Sequence, residues 1–563
     1  MSPDKHKGIL QISRAPQFTQ HYTWLNTDKP LSLKKLKGRV VILDFWTYCC
    51  INCLHVLPDL KYLEHKYKDS LTVIGVHSGK FDREQETQSV RQAILRYDVE
   101  HPVLIDKKFD IWQQYTVRGY PTFVVIDPEG YIVAKLAGEG HRTTLDKLVE
   151  KLIEEYSNQE KFNFQEFKFN LEKFQELQEY KNTPLAFPGK VLATPDGLFI
   201  ADSGHHRIIK ATLDGVVLDI IGSGKPGFRN GSFTEAEFKT PQGMSFDQVN
   251  QILYVADTGN HAIAKVNLTD KTVETIAGTG EQSRNIYPHA GSALHTALNS
   301  PWDLEKVGNR LFIAMAGSHQ IWEMSLYDNP NGIFSSNLNK SPNINTNTNI
   351  NTNTNTNIIR TYAGSGAEGC FDGILTQAAF AQPSGIITDG EELFIADSET
   401  SSIRGVDISQ TPLSQTSLNQ TGSYQVKSEK TSSQVRTICG SGALLGFGDV
   451  DGQGEIVRLQ HCLGIEYANN FLWVTDTYNH KIKLINPYSG NCQTILGNGS
   501  PTLRDGKANQ SSFHEPSGLS IFNSQLYIAD TNNHAIRCVD LNTMEVKTLD
   551  LSGLCPPDIC IPD

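Results

Sequence analysis

Three of the chain's ten cysteines crowd into five positions, Cys49, Cys50 and Cys53, and Cys50-Ile51-Asn52-Cys53 has the spacing of a pair that can close a small disulfide. The pair stands where a buried-strand run, Val40-Val41-Ile42-Leu43, gives way to an amphipathic stretch from Leu54 to Tyr67. At a helix start, free N–H groups and the helix dipole stabilise a thiolate, which lowers the pKa of the first cysteine. Cys50 is therefore expected to attack, and Cys53, one turn inward, to resolve the mixed disulfide. Zinc ligation is the competing use of such a pair. Zinc takes four ligands, and no second Cys-x-x-Cys or well-spaced His pair accompanies this one. Neither a metal nor a cofactor is expected. Asp44 closes the apolar strand, where burial raises a carboxyl pKa.

The elements that must hold these residues alternate strand and helix. Leu71 to Val76 reads as a second strand, residues 82–97 as a polar helical run, and Thr122 to Ile126 as a third strand. Asp127-Pro128-Glu129-Gly130 turns into a fourth, Ile132 to Leu136. A last helix runs from Thr144 to Tyr156, with Leu145, Leu148, Leu152 and Ile153 at helical spacing and Thr144 or its neighbour as cap. That alternation predicts an α/β domain over residues 15–156. Residues 157–185, charged and Phe-rich, read as a connector.

From residue 186 the pattern changes. LFIADSGHHRI (198–208), LYVADTGNHAI (253–263), LFIAMAGSHQI (311–321), LFIADSETSSI (393–403), LWVTDTYNHKI (472–482) and LYIADTNNHAI (526–536) are six copies of one unit. Asp202, Asp257, Met315, Asp397, Asp476 and Asp530 are spaced by 55, 58, 82, 79 and 54 residues. The two long intervals hold low-complexity runs, near 335–358 and 409–434, which cannot bury apolar surface and are expected to be disordered loops. Short β-runs at this period predict propeller blades, because each blade needs neighbours to cover its faces. The fold class is thus multidomain: an α/β domain, then an all-β six-bladed β-propeller over 186–552 and a tail, 553–563. The Asn-His pairs, Asn260-His261, Asn479-His480 and Asn533-His534, recur at the same turn of their units and read as turn-forming, and so does the repeated Asp. Cys555 and Cys560 form an isolated Cys-x4-Cys pair and are expected to be incidental.

The six units resemble NHL repeats, and the linkers at 364–385 and 497–518 share the Gly-x-Gly, Asp-Gly and Phe-x-x-Pro-x-Gly pattern. FWTYCCINC (45–53) is similar to thioredoxin-like proteins of the TlpA type, with Pro58 after it, then Val117-Arg118-Gly119-Tyr120-Pro121-Thr122. Joined, the two resemble the family of NHL-repeat-containing protein two, over roughly residues 15–550; its animal members continue into a further C-terminal β-rich domain. The resemblance implies that Asp44 accepts the Cys53 proton, that Pro121 is the cis-proline beside the cysteine pair, and that Tyr120 lines the substrate groove. Ile51-Asn52 stands where Gly-Pro is more familiar, a dipeptide that tunes redox potential. Cys49 replaces a tryptophan, either as a small apolar substitute or as the site of an alternative disulfide or regulatory oxidation. A peroxidase motif would need proline at Leu43, so that reading fails.

Charge bears on partners. Residues 1–179 carry 25 basic and 25 acidic side chains, and residues 180–563 carry 25 and 37, so the net −12 lies on the second module. An acidic module repels phosphate backbones, and nucleic acid is not expected as a partner. No apolar stretch of about 18 residues and no signal-peptide core is visible, so a cytoplasmic protein without membrane contact is expected. The favoured function is a thiol–disulfide oxidoreductase that meets protein clients through mixed disulfides while the propeller face selects them. The alternative is an NHL scaffold whose thioredoxin-like domain only binds. A hydrolytic propeller would need metal-binding carboxylates in its central channel. Oligomeric state is not legible.

Overall fold

The computed structural model describes residues 13–18, 22–158, 162, 168–171, 183–326, 357–408 and 434–557. The chain divides into two compact units, Met1–Thr183 and Pro184–Asp563. Both low-complexity runs and most of the expected connector lie outside the described residues.

The first unit is a seven-stranded mixed sheet in the order β1-β7-β6-β3-β4-β5-β2. Its strands are β1 (Ser13–Arg14), β2 (Thr23–Leu25), β3 (Val40–Trp46), β4 (Leu71–His77), β5 (Val103–Ile105), β6 (Thr122–Ile126) and β7 (Tyr131–Ala137). β3 is buried along its whole length because it lies mid-sheet, parallel to β4 and antiparallel to β6. Helix α1 (Ile51–Lys66) makes the β3–β4 crossover, followed by α2 (Thr87–Arg96), α3 (Asp110–Gln114) and α4 (Arg142–Ser157). Residues of β3 alternate between two cores. Val41, Leu43 and Phe45 pack on one side, and Val40 and Ile42 pack on the other with Val56, Leu60, Leu63, Leu145 and Leu152. Asp44 and Trp46 share the α1 side with Ile42.

Two expectations are corrected here, and four short elements carried no expectation. The polar run 82–97 splits, because Arg83–Gln85 forms a separate 3-10 turn before α2. Helix α4 starts two residues earlier than its apolar spacing indicates, so Thr144 lies inside it; His141 is the N-cap and makes no side-chain capping bond. β1, β2, β5 and α3 carry too few residues for a periodic signal and were not read.

The second unit is six antiparallel sheets. Each repeated segment forms two central strands, as Gly197–Asp202 and Arg207–Ala211 do in the first blade. Blades two to six add a short outer strand, and the first blade instead meets the chain's end, with Val217 N–H donating to Ser552 O and Ser552 N–H to Gly215 O, both at 3.0 Å.

The repeated polar residues have two separate tasks. Within a blade, Asp202, Asp257, Asp397, Asp476 and Asp530 accept from the backbone N–H of Ala186, Lys239, Ala381, Gln460 and His514 at 2.7–2.8 Å. In the third blade Met315 takes that place, and its sulfur sits 3.4 Å from the Asn299 N–H. Between blades, the turn histidine accepts from the next blade. Thr240, Ser300, Gln382, Glu515 and Phe187 donate their N–H groups to Nδ1 of His206, His261, His319, His480 and His534, at 3.0–3.1 Å. The fourth blade uses Ser401 Oγ for the same bond, to His461 N–H at 3.1 Å. These histidines adopt φ of 50–57°, which the turn requires and His tolerates better than most residues. The turn role read from sequence is thus half of the account; the imidazole joins neighbours and closes the ring from the sixth blade to the first.

At the axis, Lys190 Nζ in the first blade donates to Asp303 Oδ2 at 2.9 Å, Ser384 O at 3.1 Å and Leu463 O at 2.7 Å, tying in the third, fourth and fifth blades. Cys555 is disulfide-bonded, which corrects its reading as incidental; Cys560 lies outside the described residues.

Replacing His480 with Ala leaves the buried Glu515 N–H unpaired, a cost of about 1–3 kcal/mol. The propeller's urea midpoint should fall accordingly, whereas Tyr488→Ala, on an exposed turn in the same blade, should leave it unchanged.

Candidate functional site

Cys50 is the N-cap of α1, half-buried, and Cys53 lies one turn inward with no exposed surface. Both are free thiols, as is the buried Cys49. The first turn forms through Cys53 N–H and Leu54 N–H donating to Cys50 O at 3.0 and 3.2 Å. The helix leaves β3 at Trp46, so the cysteines stand at the end of the sheet's central strand, where loops can meet a client.

A residue not read from sequence holds this loop. Glu84, fully buried on the 3-10 turn, accepts four bonds: Oε1 from Thr47 Oγ1 and Cys49 N–H at 2.8 Å each, and Oε2 from Lys80 N–H at 2.9 Å and Phe81 N–H at 3.0 Å. A carboxylate bonded four times is a rigid clamp on the residues preceding Cys50. Cys49 owes its place to this clamp on its backbone, and its buried sulfur fits the apolar-substitute reading, with Thr47 Oγ1 3.7 Å away. No periodicity could single out Glu84 in a polar run.

His77 was also missed. It ends β4 with no exposed surface, stacked on Tyr48 at 5.5 Å and edge-on to Trp46 at 5.1 Å, and neither ring nitrogen has a hydrogen-bond partner. Burial pushes its pKa down to about 3, so it packs as a neutral ring.

Asp44 is fully buried, and neither carboxylate oxygen accepts a hydrogen bond. Burial pushes its pKa up to about 7; nearby His101 pulls it down and Glu64 pushes it further up. The Cys53 thiol is also raised, first by burial, then by the hydrogen bond and charge of Cys50, and then by Asp44. Removing the Cys53 proton therefore needs a nearby base, and a carboxylate titrating near neutrality is the group in reach.

On the opposite side of the cysteines, the Tyr120–Pro121 peptide is cis. Tyr120 is half-buried; its hydroxyl donates to Ser78 O and its ring lies 4.5 Å from Trp112. Asp44, Cys50, Cys53, Tyr120 and Pro121 thus come from β3, α1 and the start of β6, and electrostatic contact links Tyr120 to all three cysteines and to Glu84.

The propeller axis holds a cavity of about 50 Å³ lined in part by Lys190, Asp303, Glu305, Glu466 and Ser520. Carboxylates do reach the channel, and one of them, Asp303, is already paired with the Lys190 ammonium. Among the described residues no group of three or more His, Cys, Asp or Glu stands arranged for a metal.

Fold and site together define a thioredoxin-like domain with a helix-start Cys-x-x-Cys, joined to a six-bladed NHL-type propeller. A thioredoxin-like sequence family matches residues 38–132. The chain is 37% identical over 570 residues to NHL repeat-containing protein 2 of Homo sapiens, covering 97% of this chain and 73% of that protein. It belongs to the NHL repeat-containing protein 2 family. It is also 41% identical over 562 residues to Protein SUPPRESSOR OF QUENCHING 1, chloroplastic, of Arabidopsis thaliana, covering 96% of this chain and 48% of that protein. The first unit alone is 34% identical over 153 residues to thiol-disulfide oxidoreductase ResA of Bacillus cereus, covering 82% of it.

The raised Asp44 pKa has a stability consequence. The folded state keeps this proton from pH 3.8 up to about 7 while the unfolded chain loses it, so stability falls as pH rises through that window. Asp44→Asn should stabilise the first unit at pH 8 by an amount on the order of a few kcal/mol, and the gain should vanish below pH 4. Hydrogen exchange of the β3 amides, measured at both pH values, checks this.

Proposed function

We propose that this chain is a thiol–disulfide oxidoreductase whose first unit does the chemistry and whose propeller engages protein clients. The observation that carries the reading is the pairing of an accessible thiol at a helix start, Cys50, with a buried thiol, Cys53, beside an unbonded carboxylate, Asp44. The Cys50 thiolate attacks one sulfur of a client disulfide, forming a mixed disulfide and expelling a client thiolate. Asp44 takes the Cys53 proton, and the Cys53 thiolate attacks Cys50 Sγ, closing Cys50–Cys53 and releasing the second client thiolate. Two electrons pass from the dithiol to the client, and an external dithiol must return them for turnover. The same groups run the reverse reaction against a client dithiol.

Tyr120, Pro121 and Trp112 are the groove on which the client strand would lie, since Pro121 has no N–H of its own and leaves its neighbours' backbone to the client. The Bacillus cereus relative is named a thiol-disulfide oxidoreductase, which supports the reading for the first unit. Eight of the nine cysteines among the described residues are free and Cys555 is disulfide-bonded, a balance that suits a reducing compartment, and the proposal places the chain in the cytoplasm. Among the described residues no helix is long and apolar enough to cross a membrane.

Cys53→Ser should accumulate covalent mixed disulfides with client proteins, visible as bands that collapse on reduction. Cys50→Ser should give none, and Cys49→Ser should behave as wild type. If the Cys53→Ser variant traps nothing and no dithiol–disulfide cycle is detected with any disulfide probe, the chain is a binding scaffold instead.

A further inference from the structure

Four polar groups converge beneath α1 with no hydrogen-bond partner: both oxygens of Asp44, Trp46 Nε1 and His101 Nε2. All three residues are buried. Asp44 and Gly75 are register partners in the parallel β3–β4 pairing, so both face the same side of the sheet, and there the Trp46 and His101 rings close over the glycine. A Cβ on Gly75 would lie 2.9 Å from Trp46 Nε1 and 3.2 Å from His101 Nε2, closer than either ring allows. Gly75 N–H donates to Pro102 O at 2.9 Å, and Asn26 Nδ2 donates to His101 O at 3.0 Å, so the backbone carrying His101 is held over Gly75.

The other nitrogen of His101 points to the surface. Nδ1 lies 3.3 Å from Glu64 Oε2, and the Glu64 side chain is 20% exposed against 2% for His101. Glu64 stands on α1 eleven residues after Cys53, three turns along the same side of the helix, or about 16 Å. With Nδ1–H donating to Glu64, the Nε2 lone pair lies over Gly75, on the side of the sheet that Asp44 shares. One bridging water would give Asp44 and His101 Nε2 the partners that buried polar groups require.

We propose that Asp44 passes the Cys53 proton to solvent through His101 and Glu64, which makes these two residues relay groups for the resolving step. The inference rests on the oxidoreductase reading and deepens it. Asp44 receives the proton as Cys53 becomes a thiolate. It returns the proton through the bridging water to His101 Nε2, while His101 Nδ1–H passes to Glu64 and then to bulk water. No electron moves in this relay. The relay also lets Asp44 be recharged without opening the core, which a carboxyl having no surface exposure otherwise requires.

The ionisable groups around Asp44 are Cys50, Cys53 and Glu64 on α1, His77 on β4, and Glu100 and His101 ahead of β5. His101 lowers and Glu64 raises the Asp44 pKa, and His101 is itself raised by Glu64, Asp44 and Glu100 against the effect of burial. Resolution should therefore slow as pH falls below about 7, where Asp44 already holds a proton. His101→Gln should shift that inflection to higher pH and Glu64→Gln to lower pH, while both slow the step.

The test uses the full chain, pre-reduced and mixed in stopped flow with a self-quenched dye-labelled glutathione disulfide, from pH 5.5 to 9. The first attack by Cys50 and the later resolution by Cys53 appear as separate phases. His101→Gln and Glu64→Gln are each expected to slow resolution about tenfold at pH 7 and leave the first phase within about twofold, as loss of assisted proton transfer does. Glu64→Asp should recover most of the rate, and added imidazole should rescue His101→Gly. In an Asp44→Asn background neither change should add to the loss, because all three act on one proton. The relay is overturned if both variants resolve at the wild-type rate, or if their effects add fully to Asp44→Asn. Absence of a first phase in wild type would instead sink the oxidoreductase reading. Glu64→Gln, at a part-exposed site, keeps the test informative should His101 variants fold poorly.

Discussion

Burial of an ionisable or polar group demands a partner or a neutral form, and both units of this chain are organised around how that demand is met. In the propeller it is met at every repeated Asp and at every turn imidazole. Each repeated Asp accepts a backbone N–H within its blade, and each turn imidazole accepts one from the next. Asp530 adds Arg537 Nη1 at 2.8 Å and Asp397 adds Arg404 Nη1 at 3.3 Å. Breaking one such bond strands a donor that water cannot reach, so the ring behaves as a rigid support.

The thioredoxin-like unit leaves the same demand unmet at Asp44, as it does at Trp46 Nε1, His101 Nε2 and both ring nitrogens of His77. Asp44 sits mid-sheet with no donor on either oxygen, and so binds a proton near neutral pH where an exposed carboxyl would have lost it. That is the condition for a base that works at physiological pH on a thiol raised by its own burial. Glu84 is the contrasting carboxylate: bonded four times, it fixes geometry where Asp44 is left free to take a proton.

Much of this was legible in the residues. The strand–Cys-x-x-Cys–helix order placed Cys50 at a helix start, because a change from a continuous apolar run to an amphipathic stretch marks the junction. Six copies of one segment required six blades, since an isolated blade cannot cover its faces. The short strands β1, β2 and β5 escaped because two or three residues carry no period. The start of α4 escaped because its cap makes no side-chain bond to announce it.

What the sequence by itself determined was local: which runs become strand or helix, where the reactive cysteines stand, and how many times the blade recurs. Those features depend on the order of neighbouring side chains. What only the tertiary structure decided was which distant groups meet. Glu84 reaches the Cys49 backbone across 35 residues, His101 comes beside Gly75 from the neighbouring strand, and Lys190 finds Asp303 across the propeller axis. Spacing along the chain holds no record of such contacts, because they arise from sheet order and ring closure, which bring residues together through space.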